Sequence, residues 1–148
     1  MKWILLLLLT PVLLATIALF SNRPPIWDTP GPLVRLKLYL TTNLAETRVD
    51  HALHELRPLQ LELPEAEARS AILQAMERLG WREIRADTEV IRGVVVTPLL
   101  SFKDDVEVRL RPINGSVLVQ VRSKSRVGRG DFAANTRHII DLLSLLSE

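Results

Sequence analysis

The sequence predicts an α+β fold: an N-terminal transmembrane helix, then an antiparallel sheet of about five strands with two helices packed on one face. Three observations carry this expectation. Residues 4–20 form an uncharged apolar run. Residues 104–124 alternate apolar and polar on either side of Asn114-Gly115. Two later segments, opening near Pro64 and Asp131, keep helical apolar spacing while the residues between them keep strand spacing. The order after residue 57 is β-α-β-β-β-β-α. Four consecutive strands without crossover helices make the sheet antiparallel.

The first element, ILLLLLTPVLLATIALF at residues 4–20, is just long enough to span a bilayer once Trp3 is counted. A cleaved signal peptide would have a shorter apolar core followed by small residues. Here Thr16 and Ala18 lie inside the run and Phe20 stands where a small residue belongs, so an uncleaved anchor is preferred over a signal. Pro11 falls mid-span, a position for a kink. The positive-inside count slightly favours a cytoplasmic domain, because Arg23, Arg35 and Lys37 follow the span and only Lys2 precedes it. A short cationic start before a long apolar run is nevertheless how export signals begin. Export, to the periplasmic side of an inner membrane, is the reading taken.

Residues 21–57 read as a linker and an irregular lead-in. SNRPPIWDTPG is turn-rich and holds three prolines. In VRLKLYL, Val34, Leu36, Leu38 and Leu40 alternate with Arg35, Lys37 and Tyr39, a strand period; a membrane-surface helix is the competing reading. Val49, Ala52, Leu53 and Leu56 are spaced for a short helix carrying His51 and His54, with Glu55 one turn beyond His51. Two histidines three apart do not make a zinc site, which needs at least three ligands in one place, so these are read as solvated and no metal is expected.

The folded domain, residues 58–148, opens with Leu59, Leu61 and Leu63 as a strand. Pro64, Glu65 and Glu67 start a helix that Gly80 ends, with Ala68, Ala71 or Ile72, Ala75, Met76 and Leu79 inward. WREIRAD gives a short strand with Ile84 and Ala86 inward, and TEVIRGVVVT a longer one. Pro98 interrupts before LLSF, at a bulge or corner. Asn114-Gly115 suits a two-residue type I′ turn, which sets Leu110 opposite Val119, Val108 opposite Val121 and Pro112 opposite Val117 on one face. On the other face Glu107 meets Arg122 and Asp105 meets Lys124. The last helix begins near Asp131 as N-cap and buries Phe132, Ile139, Ile140 or Leu143, and Leu146.

Composition narrows the function classes. Nineteen basic and seventeen acidic side chains give +2, or +1 once Lys2 is set aside with the anchor, so no general nucleic-acid binder is expected. Cysteine is absent, which excludes disulfides and thiol nucleophiles. No cofactor motif appears.

DDVEVRL at 104–110, followed by VRSKSRVGRGDFAANTRHI at 121–139, resembles the bacterial and plastid domain of unknown function 1499 family, over about residues 58–147. Ser125, Arg126, Gly128, Asp131 and Asn135 match its pattern of serine, arginine, glycine, aspartate and asparagine, and Asp104 and Asp105 match its paired acids. The resemblance implies an exported or membrane-attached domain, a fold and a candidate site, but no reaction. The chain lacks the cysteine-containing leading segment of many members.

The chemistry available is modest. Arg122, Lys124, Arg126 and Arg129 fall within eight residues around Gly128 and Gly130. Backbone amides of a glycine loop beside a helix start hold anions, so an anionic ligand or a protein partner at residues 125–131 is the binding expectation. Arg122 and Lys124 are paired with acids on the outer face, which leaves Arg126 and Arg129 free. Asp104, Asp105, Asp131 and His138 are acid–base groups without a nucleophile or phosphate loop, and no catalytic residue is assigned. The Arg-Gly-Asp triplet at 129–131, with its aspartate at a helix cap, is coincidence. Three classes follow: a membrane-tethered binding module first, a structural subunit of an envelope complex second, an enzyme last. Asp104, Ser125 and Asn135 are expected to meet as a latch, with Asp104 or Asn135 accepting amides of residues 126–130.

Overall fold

The computed structural model describes residues 2–98 and 101–148, with side chains from Leu9 onward. In chain order it holds α1 (Lys2–Ser21), α2 (Pro32–Thr41), β1 (Leu44–Glu46), a 3-10 turn (His54–Leu56), β2 (Leu59–Leu61), α3 (Glu65–Arg78), β3 (Arg82–Ala86), β4 (Val90–Val96), β5 (Lys103–Ile113), β6 (Ser116–Ser125) and α4 (Ala134–Leu146). The fold is α+β. Its six strands form one antiparallel sheet in the order β1-β6-β5-β4-β3, and β2 shares with β1 the outer edge of β6.

Asn114 and Gly115 both take left-handed backbone angles, φ 45° and 87°, as a two-residue hairpin turn requires. The register follows from that turn: Leu110 pairs with Val119, Val108 with Val121, Pro112 with Val117 and Asp104 with Ser125. One face of β5 and β6 therefore buries Val106, Val108, Val117, Val119 and Val121 against Ala68, Ile72 and Met76 of α3 and Ile139, Leu142 and Leu143 of α4. That face is the core, and its far end carries Asp104, Ser123 and Ser125.

The outer face departs from the predicted charge pairs. Glu107 and Arg122 are backbone partners, as are Asp105 and Lys124. The ion pairs run elsewhere: Asp105 binds Arg126 at 2.7 Å, and Glu107 lies 3.4 Å from Arg109 and 3.6 Å from Arg92. Long guanidinium arms reach diagonal and same-strand neighbours as readily as the opposite residue. Arg126 is therefore not free.

Several local expectations are corrected. Residues 32–41 form a helix, not an extended segment, and it buries Arg35 and Tyr39 while Leu33, Val34 and Leu40 are exposed. Pro32 behind Gly31 is a helix-start signal that the alternation of leucines masked. The short helix expected around residues 49–56 is only the 3-10 turn. His51 accepts the Leu53 amide there, and Glu55 is taken by Arg35. β1 was not foreseen. Ala86 is exposed and Ile84 half-buried, because β3 shifts register after Arg82, where Glu83 has φ 53°; Trp81 supplies the burial. α4 starts at Ala134, three residues beyond Asp131, since Phe132 and Ala133 are left-handed.

Leu99 and Leu100, expected within the segment after Pro98, lie outside the described residues. Among the described residues no helix is long and apolar enough to cross a membrane. The expected span at residues 4–20 coincides with α1, and its side chains before Leu9 fall outside the described set.

Candidate functional site

An α-helix leaves its last carbonyls without intrahelical partners. At the end of α2 the loop after β6 supplies the donors. Phe132 N–H donates to Tyr39 C=O (3.0 Å), Asp131 N–H to Thr42 C=O (3.1 Å) and Ser125 N–H to Asn43 C=O (2.9 Å). Asn43 answers with Nδ2 donating to the Gly128 carbonyl at 2.7 Å. The approach is close. A Cβ on Gly130 would stand 2.3 Å from the Leu40 carbonyl oxygen, so glycine is required for space. On the other side Asn22, just past α1, donates to the Phe132 carbonyl at 2.8 Å.

Asn135 ties this loop to the sheet. Fully buried, its Oδ1 accepts from the Ser123 hydroxyl at 2.6 Å. Its Nδ2 lies within hydrogen-bond distance of Asp131 Oδ2 (2.6 Å), Ser125 Oγ (2.9 Å) and the Asn43 carbonyl (3.0 Å). Asp131 caps α4 from outside it: Oδ1 accepts the Ala133 amide and Oδ2 the Asn135 amide. Burial holds the Asp131 carboxyl above its usual range, the nearby Asp104 charge adding to the effect and the Asn135, Ala133 and Asn135-amide hydrogen bonds only partly opposing it.

Asp104 stands next to this network. It is 1% exposed, and its Oδ2 lies 2.9 Å from His138 Nε2 on α4. The His138 and Trp81 rings meet in a T-shaped arrangement, with centroids 6.5 Å apart. Asp104 Oδ1 is buried and has no hydrogen-bond partner among the described residues.

Asp104, Ser125 and Asp131 share the wall of a cavity of about 320 Å³. Ala18, Ser21 and Asn22 close it from the end of α1, Thr97, Pro98 and Phe102 from the β4–β5 side, and Val127, Gly130, Phe132 and Ala134 from the loop and α4. Among the described residues the wall contains two carboxylates and no Lys, Arg or His. Its volume is within the range of small-molecule sites.

The predicted site residues thus divide. Ser125, Asp131 and Asn135 are hydrogen-bonded together, Asp104 shares their cavity, and Gly128 (φ 93°) shapes the loop. Asp105 and Arg126 pair on the outer face, where Arg126 holds the Asp105 carboxyl below its usual range. Arg129 is exposed and makes no ion pair among the described residues. The expected latch differs in its partners. The Arg126 amide goes to the Lys103 carbonyl, the Ser125, Asp131 and Phe132 amides to carbonyls at or just past the end of α2 and the Ala133 amide to Asp131, while Asp104 binds His138 and Asn135 binds side chains and the Asn43 carbonyl. Reading residues 34–40 as extended left no helix end for the loop to cap. Asn43 and Ser123 were missed with it.

Ser125 Oγ accepts from Asn135 Nδ2, and among the described residues no side-chain base accepts its proton. No group of three His, Asp or Glu side chains that could hold a metal ion is present among them.

A family model described as a protein of unknown function (DUF1499) matches residues 33–146, from the second residue of α2 to the last of α4. The match therefore takes in α2 and β1 with the sheet and the loop. No curated protein matches the chain.

Proposed function

The chain belongs to the DUF1499 family, and from that premise we propose that it is a non-catalytic binding module, anchored by α1 on the exported face of an envelope membrane. The observation that carries this reading is the position of the cavity, walled by the end of the apolar helix α1 and the loop at residues 125–132. A small-molecule site built there faces the membrane surface on one side and the rigid end of the sheet on the other.

A second feature supports membrane seating. Leu33, Val34, Lys37 and Leu40 share one exposed face of α2, and Trp27 before it is 85% exposed. Apolar residues with a lysine and a tryptophan suit the headgroup boundary. Arg35, buried, does not contribute to that face. The structural-subunit alternative needs exposed apolar residues on the outer face of the sheet, and Leu118 there is half-buried. An anion at the loop is disfavoured by the two carboxylates of the cavity and by the Asp105 partner of Arg126.

The chain has no cysteine, so Val127→Cys gives one labelling point at the cavity mouth. With a polarity-sensitive dye there and the full chain in nanodiscs, a saturable emission change on titrating small-molecule membrane extract supports the binding module. A dye that ignores every extract fraction but responds to an equimolar envelope protein supports the subunit reading.

A further inference from the structure

Resting on that reading, we propose that the cavity takes a cationic amphiphile: an alkylammonium group that meets Asp104 Oδ1, carried on an apolar body lying against Phe102, Val127 and Phe132. Three independent features of the wall point to this class.

The first is the unpartnered oxygen. A buried carboxylate oxygen without a hydrogen bond is costly, and the cost is removed by a donor. His138 already takes Oδ2 and is not among the residues lining the cavity. Oδ1 is the oxygen left for a donor that comes from the cavity. The second is charge. Asp104 and Asp131 both contribute to the wall and, among the described residues, no cationic side chain does, so an anion would meet two carboxylates at short range. A protonated amine supplies the positive charge that is missing and the donor that Oδ1 lacks, in one charge-assisted hydrogen bond. The third is the remaining surface. Ala18, Pro98, Phe102, Val127, Phe132 and Ala134 are apolar, which suits an alkyl or aromatic body and not a hydrated inorganic ion. Ala18 and Ser21 place one side of the cavity on α1, so a long tail has a path along that helix toward the bilayer.

The same chemistry reaches the cavity from two sources, a free amine in water or an amine on a membrane-embedded tail. The test uses the full chain, ¹⁵N-labelled, in nanodiscs of zwitterionic lipid at neutral pH. Amide shifts of Val127, Gly130 and Phe132 are followed on titration with n-hexylammonium, n-hexanol and hexanoate. The expected order is hexylammonium first, tighter than hexanol by about tenfold, the size of one added charge-assisted bond, with hexanoate weakest. Asp104→Asn is expected to erase the difference between the ammonium and the alcohol, and Phe102→Ala to weaken both alike. Nanodiscs doped with octadecylamine reproducing the shifts assign the membrane source; shifts with hexylammonium only assign the soluble one.

Equal binding of ammonium and alcohol, or preference for hexanoate, overturns the cationic class and leaves the cavity as a binding site. Silence of all three amides toward all three probes removes the site itself, and the proposed function with it. The order of affinities in the unaltered chain decides the matter even if Asp104→Asn does not fold.

Discussion

Asn135 and Arg129 lie six residues apart in one motif and do opposite things. Asn135 is fully buried, and its amide group holds Ser123, Ser125, Asp131 and the Asn43 carbonyl in one arrangement. Truncation to Asn135→Ala leaves those buried groups short of partners, at about 1–3 kcal/mol for each group left unsatisfied. A drop in denaturant midpoint is expected, whereas Arg129→Ala, at an exposed residue with no ion pair among the described residues, leaves the midpoint where it was. A stable Asn135→Ala would falsify the network's structural role. Gly130 tests the same region by size. Its missing Cβ makes room for the Leu40 carbonyl, and backbone cannot step aside as a flexible side chain does. Gly130→Ala is expected to cost about 1–3 kcal/mol as an overpacking change. It should also broaden the amide signals of Tyr39, Thr42 and Asp131 together. Loss of stability without any change at those amides would mean the contact is not what glycine provides.

At the scale of elements, α2 is held at both ends. The loop caps its C-terminus, and Arg35 fixes its first turn to the linker and to the 3-10 turn. That guanidinium, fully buried, donates to the Asp28 and Thr29 carbonyls, to Tyr39 Oη and to both oxygens of Glu55. Removing one partner strands a buried charge, so Glu55→Ala is expected to cost about 3–5 kcal/mol. A cost below about 1 kcal/mol, read from urea unfolding, would show that α2 is held without the ion pair. The pH dependence has a definite sign. Burial raises the Glu55 carboxyl, but the Arg35 hydrogen bonds and charge more than offset this and carry it below its ordinary 4.5. A depressed carboxylate contributes stability that is fully present above the unfolded-state value and is lost as pH falls through the folded-state value. Acidification from about pH 5 downward should therefore weaken the unaltered chain more than Glu55→Ala. Asp131 acts in the reverse sense. Its folded value is raised, so its contribution is full below the ordinary 3.8 and lost as pH rises through the folded value.

At the scale of the whole molecule, the proposed membrane seating is tested at Trp27. If the exposed face of α2 lies at the headgroups, brominated lipids should quench Trp27, read as the quenching that disappears in Trp27→Phe. Quenching identical in the two chains would place the domain clear of the surface. On the outer face of the sheet Glu107 lies against Arg92 and Arg109, and Asp105 binds Arg126.

The hairpin was legible in the sequence because its determinants are local. Asn114-Gly115 fixes the turn, a two-residue period fixes the faces, and no distant group is needed to choose between registers. α3 was legible for the same reason, with its helical stripe bracketed by Pro64 and Gly80. The site was legible only in part: its residue types could be picked out, but not who binds whom. The choice between strand and helix for residues 32–41 turned on Glu55, twenty residues from Arg35, and on a loop more than eighty residues further on. Alternating leucines fit either form, so periodicity was silent there. The partner of Asp104 was hidden too, because a carboxylate in a strand gives no sign of which helix residue will lie across it. Local steric preference settled the turn and the strand faces. The burial of Arg35, the capping of α2 and the cavity between α1 and the loop exist only once distant segments enclose a shared volume. There the need to pair every buried charge and carbonyl selects the partners.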